Sequence, residues 1–247
     1  ISFSDEEDKL SILKKAHFAI YDLRLANLLE IELKAVKILA ALDTYIDAGV
    51  LSIILGLPEV ETGKIILDLQ LNNIIQEYTS GQIIIFTSEA IKKHIYAKIE
   101  DKQKIHLHIA NILSSKVPST NRLEIARQYE LAAEYEISFN VLMTEVNESE
   151  KHSAFEYIRE ILTHLLDLPL RKKMKDAVMI KLSEVFYKLG DMQAALGTLK
   201  ELKGTVSEKE LDKKLFLIEG SALIASGEFE TGKKVINNLL NEMDNID

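Results

Sequence analysis

The chain contains 247 residues, of which 47% are hydrophobic and 28% charged, a balance that is typical of a globular protein and not of a disordered one. It has no cysteine, which excludes disulfide bonds, thiolate metal sites and a cysteine nucleophile, and which fits a reducing, cytoplasmic environment. The formal net charge of −9 disfavours a protein that binds nucleic acid mainly through phosphate contacts, and no hydrophobic run approaches the roughly 18 residues that would cross a membrane.

The N-terminal segment, residues 1–27, is predicted to be helical. Leu10, Leu13 and Leu25 form an irregular hydrophobic stripe, and the acidic run Asp5–Asp8 suits the N-terminal end of a helix. Because the whole chain has only 10 glycines and 3 prolines, long helices are favoured throughout. The chain begins at Ile1 without an initiator methionine, so we expect it to belong to a longer protein.

Residues 28–100 are predicted to form a winged-helix-like module. After a first amphipathic helix, Asp47 caps a short second helix that ends at Gly56, and Pro58 begins a third. Two β-prone runs, 74–79 and 82–87, flank a Ser-Gly turn and predict a hairpin. Three helices followed by a hairpin is the element order of a winged helix.

A connecting helix is expected within 101–121, and residues 122–247 are predicted to form tetratricopeptide-like helical repeats. Two segments align, Met179–Leu202 and Phe216–Leu239. Their turn glycines, Gly190 and Gly227, lie 37 residues apart, close to the tetratricopeptide period of about 34. A weaker third copy is expected at 126–142 and a partial fourth at 154–169. Helix breaks are expected at 135–136, 167–169, 190–191, 204 and 227–228.

Small residues recur where the two helices of each hairpin should approach each other. They are Ser183 and Gly220 in the first helices and Ala195 and Gly232 in the second. Because one hairpin cannot bury its own hydrophobic faces, successive hairpins must stack. The fold class is therefore predicted as mainly α-helical, a winged-helix-like module followed by an α-solenoid. An unrelated helical bundle is the alternative to the repeats.

No residue pattern predicts catalysis, a metal site or a cofactor. Gly227–Lys233 matches the beginning of a phosphate loop, but Lys234 stands where Ser or Thr would have to bind magnesium. His106 and His108 are two apart on a predicted helix and cannot share a metal ion. We therefore expect a protein that is not an enzyme and that needs no cofactor or metal.

The third helix of the module does not have the composition of a DNA-reading helix. It carries Glu59, Glu61 and Asp68 against one base, Lys64, whereas DNA readers present basic and amide side chains to the major groove. A lysine-rich stretch at 92–104 is spread around two helices and is interpreted as solvated surface. Nucleic acid is not an expected partner, and neither is a membrane.

The residues that follow the hairpin resemble a known family. Phe86–Tyr96 and Lys104–Ala110 look like the segment after the winged helix in signal-transduction (STAND-type) ATPases, which include MalT-like activators and ATPase modules fused to bacterial kinases or cyclases. The resemblance covers 28–247. It implies a nucleotide-binding domain upstream and repeats that sense ligands or partner proteins. The family's Arg-His pair falls on Thr87-Ser88, so no nucleotide contact is carried over.

The function that we expect is a regulatory, protein-interaction region of a multidomain signalling ATPase. A stand-alone adaptor that binds a peptide and a transcription regulator are the alternatives. In tetratricopeptide-like hairpins the first helix of each pair faces the partner. The predicted partner-binding residues are therefore Arg127, Glu130, Glu184, Tyr187 and Lys188.

Overall fold

The computed structural model of the protein describes residues 18–42, 45–78, 83–117, 121–203 and 213–244. The chain divides into two compact units, Ile1–Glu134 and Tyr135–Asp247. The finer division predicted above, with boundaries at 27, 100 and 121, remains a prediction.

The first unit combines seven helices with one hairpin in its described part. Residues 18–26 are helical (α1), and the elements that follow are α2 Glu30–Ala41, α3 Ala48–Leu55, α4 Glu59–Leu71, β1 Ile75–Tyr78, β2 Ile83–Phe86, α5 Glu89–Ala97, α6 Lys102–Lys116 and α7 Arg122–Leu131. Three helices followed by a hairpin is the order that the sequence predicted. Of the N-terminal helix predicted over 1–27, the part before residue 18 lies outside the described residues.

The predicted start and stop residues of α3 are confirmed. Asp47 accepts a hydrogen bond from the Val50 backbone N–H through Oδ1 at 2.7 Å, and Gly56 ends α3 in a left-handed conformation. Ser88 caps α5 by accepting from the Ala90 N–H at 3.2 Å.

The hairpin is antiparallel, with Ile75 opposite Phe86 and Tyr78 opposite Ile83. An additional bridge, in which the Ile84 N–H donates to the Ile46 carbonyl at 3.0 Å, ties the hairpin to the segment before α3. The predicted Ser-Gly turn lies outside the described residues. The hairpin thus belongs to the helical core of the first unit.

α2 is the central helix of the first unit. It packs against α3, α4, α5 and α6, and Ala35 and Val36 on it have no exposed surface. Around it lie fully buried branched side chains, which include Ile38, Leu51, Ile54, Leu69, Ile91 and Ile109. Burial of such side chains stabilises the unit by about 1.5–3 kcal/mol each relative to exposure.

The second unit is a series of helices, each of which packs on the next. They are α8 Tyr135–Glu150, α9 Phe155–Asp167, α10 Lys172–Leu189, α11 Met192–Lys203, α12 Lys213–Ala225 and α13 Phe229–Asp244. Gly190 and Gly227 adopt left-handed φ values of 81° and 94° at the turns of the last two hairpins, which is the conformation that glycine permits. This is an α-solenoid, as the sequence predicted.

The third predicted copy spans α7 and α8, which fall in different compact units, so its pairing remains a prediction. Within the second unit α8 packs on α9. The α8–α9 turn at 151–154, where Ser153 has φ 56°, was not predicted because no glycine or proline marks it. The break expected at 135–136 falls instead at 132–134, where Ala133 has φ 63°, and residues 135 and 136 begin α8. The break expected at 204 lies outside the described residues.

Candidate protein-interaction surfaces

The three predicted partner-binding residues of α10 differ greatly in exposure. Glu184 is only 6% exposed, and its Oε2 lies 3.6 Å from the Lys181 Nζ. Tyr187 is half-buried against a cluster made by Leu199, Leu202, Leu215 and Ile218. The expectation that this helix face is exposed to a partner is therefore wrong for Glu184, which lies in the interior of the second unit.

Lys188, the third of these residues, takes part in a charged cluster that joins α8 to α10. Glu150 accepts from the Lys181 Nζ at 2.6 Å and from the Lys188 Nζ at 2.5 Å. Lys188 also lies over the Phe155 ring of α9, 4.9 Å from its centroid. The hydrogen bonds from Lys181 and then Lys188 lower the pKa of Glu150 from 4.5 to about 2. The cluster therefore connects α8, α9 and α10. About 37% of the Lys188 side chain remains exposed.

Arg127 and Glu130 lie on α7, in the first compact unit, and not with the α10 residues. Arg127 is exposed and lines a depression of about 670 Å³ together with Tyr45, Lys92 and the edge of the hairpin. Glu130 is half-buried. The five predicted residues thus divide between two units, and their role in partner binding remains a prediction.

The exposed face of α4 is hydrophobic and acidic. Val60, Leu67 and Leu71 are 75%, 55% and 72% exposed, and the exposed charged residues beside them are Glu59, Glu61, Asp68 and Lys64. A helix that reads DNA lies against phosphates, which this face would repel. Its exposed hydrophobic side chains suit contact with protein.

A buried polar network at the centre of the first unit was not predicted from the sequence. His106 is 1% exposed, with Nδ1 2.7 Å from the Gln128 Oε1 and Nε2 2.8 Å from the Tyr96 Oη. Gln128, fully buried, donates to the Glu124 Oε1 at 2.8 Å and to the Ala41 carbonyl at 3.3 Å. Helical periodicity assigns residues to faces but does not match partners across helices, so no sequence pattern could have paired them.

Neither chemical motif that the sequence raised forms a site in the described part of the chain. Gly227 is the turn before α13, and Gly232 packs against α12, so this segment does not form a phosphate-binding loop. Among the described residues no group of three or more His, Asp or Glu could hold a metal ion. No described helix is both long and hydrophobic enough to cross a membrane.

The fold is similar to that of a solved protein. The similarity is to the crystal structure of a Signal Transduction ATPase with Numerous Domains (STAND) protein with a tetratricopeptide repeat sensor from Pyrococcus horikoshii, with a TM-score of 0.59 and 15% sequence identity. The alignment covers 90% of this chain and 33% of that protein, so the chain spans about a third of its length. No protein-family model matches the chain, and no curated protein does. The similarity shows the fold, a mainly helical chain with an α-solenoid.

Proposed function

We propose that this chain is a non-catalytic regulatory and protein-interaction region of a multidomain signalling ATPase, and that its helical repeats bind a partner protein or ligand. The observation that carries the proposal is the order of the elements. A winged-helix-like unit precedes helical hairpins, and the fold follows a STAND protein with a repeat sensor over 90% of the chain. In this proposal a nucleotide-binding domain lies upstream and acts on the first unit.

The surfaces of both units support a role in protein contact. Stacked helical hairpins present extended surfaces on which partners bind. The face of α4 is hydrophobic and acidic, which favours a protein partner over DNA and disfavours a transcription regulator. On α10 the side chain that best suits partner contact is Lys188, because Glu184 and Tyr187 support the packing of the unit.

The gene that encodes this chain offers the first test. The region upstream of Ile1 is expected to encode a strand, a phosphate loop and a helix, the elements that bind the nucleotide phosphates in an ATPase. The isolated chain is expected to release no phosphate from ATP above the background of a buffer control. An upstream region without a phosphate loop would remove the regulatory proposal and leave the stand-alone adaptor.

A further inference from the structure

A hydrophobic groove with a basic rim lies between α2 and α6 of the first unit. It has a volume of about 840 Å³. The hydrophobic side chains that line it are Leu29, Ile31, Leu33, Ile38 and Ile105. Leu29, the residue just before α2, is 66% exposed. A volume of this size accepts several large side chains of a ligand.

The charged residues of the groove are mostly lysines. The groove is lined by three lysines, Lys34, Lys37 and Lys104, and by one acidic residue, Glu30. Lys104 is paired with Asp101 at 2.9 Å, whereas Lys34 and Lys37 have no ion-pair partner among the described residues. Because the chain as a whole carries a net charge of −9, this is a basic site on an acidic protein.

We propose that this groove binds an acidic amphipathic helix of a partner protein. Such a helix places hydrophobic side chains at i, i+3, i+4 and i+7 into a groove and keeps charged residues at its edges. Lys34 and Lys37 are three residues apart on α2, so they lie on one face of that helix and can reach carboxylates along one edge of the ligand. Charge complementarity of this kind selects acidic partners and disfavours basic ones.

The hydrophobic walls distinguish this ligand from a nucleic acid. Phosphates would bind the lysines, but a polynucleotide has no row of hydrophobic side chains to fill the groove. The proposal concerns a surface of the first unit and does not depend on what the helical repeats bind.

Fluorescence anisotropy with a labelled synthetic peptide tests the proposal on the intact chain. The probe is a helical peptide with leucines at i, i+3, i+4 and i+7 and glutamates at the flanking positions. A matched peptide carries lysines in place of the glutamates. The acidic peptide is expected to bind at least about tenfold more tightly than the basic one, by an amount that falls with added salt.

Two variants locate the binding. The double substitution Lys34→Glu/Lys37→Glu is expected to weaken the acidic peptide by about tenfold or more. The matched control, Lys64→Glu/Lys200→Glu, makes the same charge change at two exposed lysines outside the groove and should alter the affinity less than about twofold. Leu29→Ser, at an exposed side chain, should weaken binding severalfold without lowering the unfolding temperature.

Three outcomes would overturn the proposal. If both double variants weaken binding equally, the peptide responds to total charge and not to the groove. If the basic peptide binds as well as the acidic one, the groove does not select acidic ligands. The absence of binding by the acidic peptide at millimolar concentration would show that the groove does not accept a helix of this chemistry.

Discussion

Gly220 of α12 and Gly232 of α13 face each other with no room for a methyl group on either. A Cβ built on Gly232 would lie 2.6 Å from the Gly220 carbonyl oxygen, and one built on Gly220 would lie 2.5 Å from the Ile236 Cγ1. Such distances are shorter than real Cβ contacts. The close approach of the two helices therefore depends on both glycines, as the alignment of the repeats predicted.

Substitution of Gly232 by alanine should destabilise the second unit. The nearest atoms include the backbone of α12, which cannot rotate away, so the helices must separate. An overpacked contact of this type costs about 1–3 kcal/mol. The midpoint of denaturant unfolding, followed by circular dichroism, measures the effect.

Gly197→Ala is the matched control in the same unit. Gly197 lies inside α11, and a Cβ on it meets nothing within 4 Å. Alanine there should stabilise the helix by about 0.5–1 kcal/mol. Equal effects of the two substitutions would contradict the packing role of Gly232.

The turns and close contacts of the last two hairpins could be predicted because each depends on a particular glycine or small residue. Gly190, Gly227 and the pair described above are visible as a spaced pattern. The turn at 151–154 left no such pattern, since Ser153 adopts a positive φ without glycine.

Gln128→Leu should strongly destabilise the first unit. The change removes the acceptor for the His106 Nδ1–H and the donor to Glu124, so both buried residues lose a hydrogen bond that Leu cannot replace. The expected loss in the free energy of unfolding is roughly 2–4 kcal/mol. Urea unfolding, together with hydrogen exchange of α6 and α7, would measure it.

A partly exposed glutamine provides the control for that substitution. Gln70 donates to the Glu77 Oε2 at 3.1 Å on the surface, so Gln70→Leu should change the free energy of unfolding by less than about 0.5 kcal/mol. A loss as small as this in Gln128→Leu would mean that the network does not stabilise the unit.

The Glu150 cluster should make the stability of the second unit depend on pH. The folded protein lowers the pKa of Glu150 to about 2, so its ion pairs stabilise the fold fully above the unfolded value of 4.5 and are lost as the pH falls towards 2. Glu150→Gln should therefore lower the free energy of unfolding at neutral pH by about 1 kcal/mol, since the ion pairs are partly exposed. It should have little effect near pH 2.

Denaturant unfolding of Glu150→Gln and the parent chain at several pH values tests this dependence. Glu156→Gln is the comparison, because its pair with Arg159 lies on one helix and is more exposed. At neutral pH, Glu156→Gln should lower the free energy of unfolding by less than Glu150→Gln does. A difference between Glu150→Gln and the parent that stays constant down to pH 2 would contradict the assigned pKa.

The acidic face of α4 predicts that the chain does not bind DNA. Glu59, Glu61 and Asp68 would oppose phosphates on that face. A gel-shift assay at low salt, with random-sequence duplex DNA, should show no complex. A complex whose affinity falls steeply with salt would favour the transcription-regulator alternative instead.

The partner face was harder to predict from the sequence than the fold. Periodicity placed Glu184 and Tyr187 on the first helix of a repeat, but it could not show that the cluster of α11 and α12 covers one side of Tyr187. Nor could it show that Lys188 is engaged by Glu150, which lies 38 residues away. Such contacts depend on the angle at which neighbouring helices pack, and helix spacing in the sequence does not fix that angle.

ATP turnover by the full-length protein tests the proposal that this region regulates a signalling ATPase. The full-length protein and a version that ends at Glu134 would be compared under the same conditions. We predict that removal of 135–247 changes the turnover rate by about fivefold or more, as expected when a sensor is coupled to the catalytic domain. Identical rates for the two proteins, or no ATP turnover by either, would exclude this regulation.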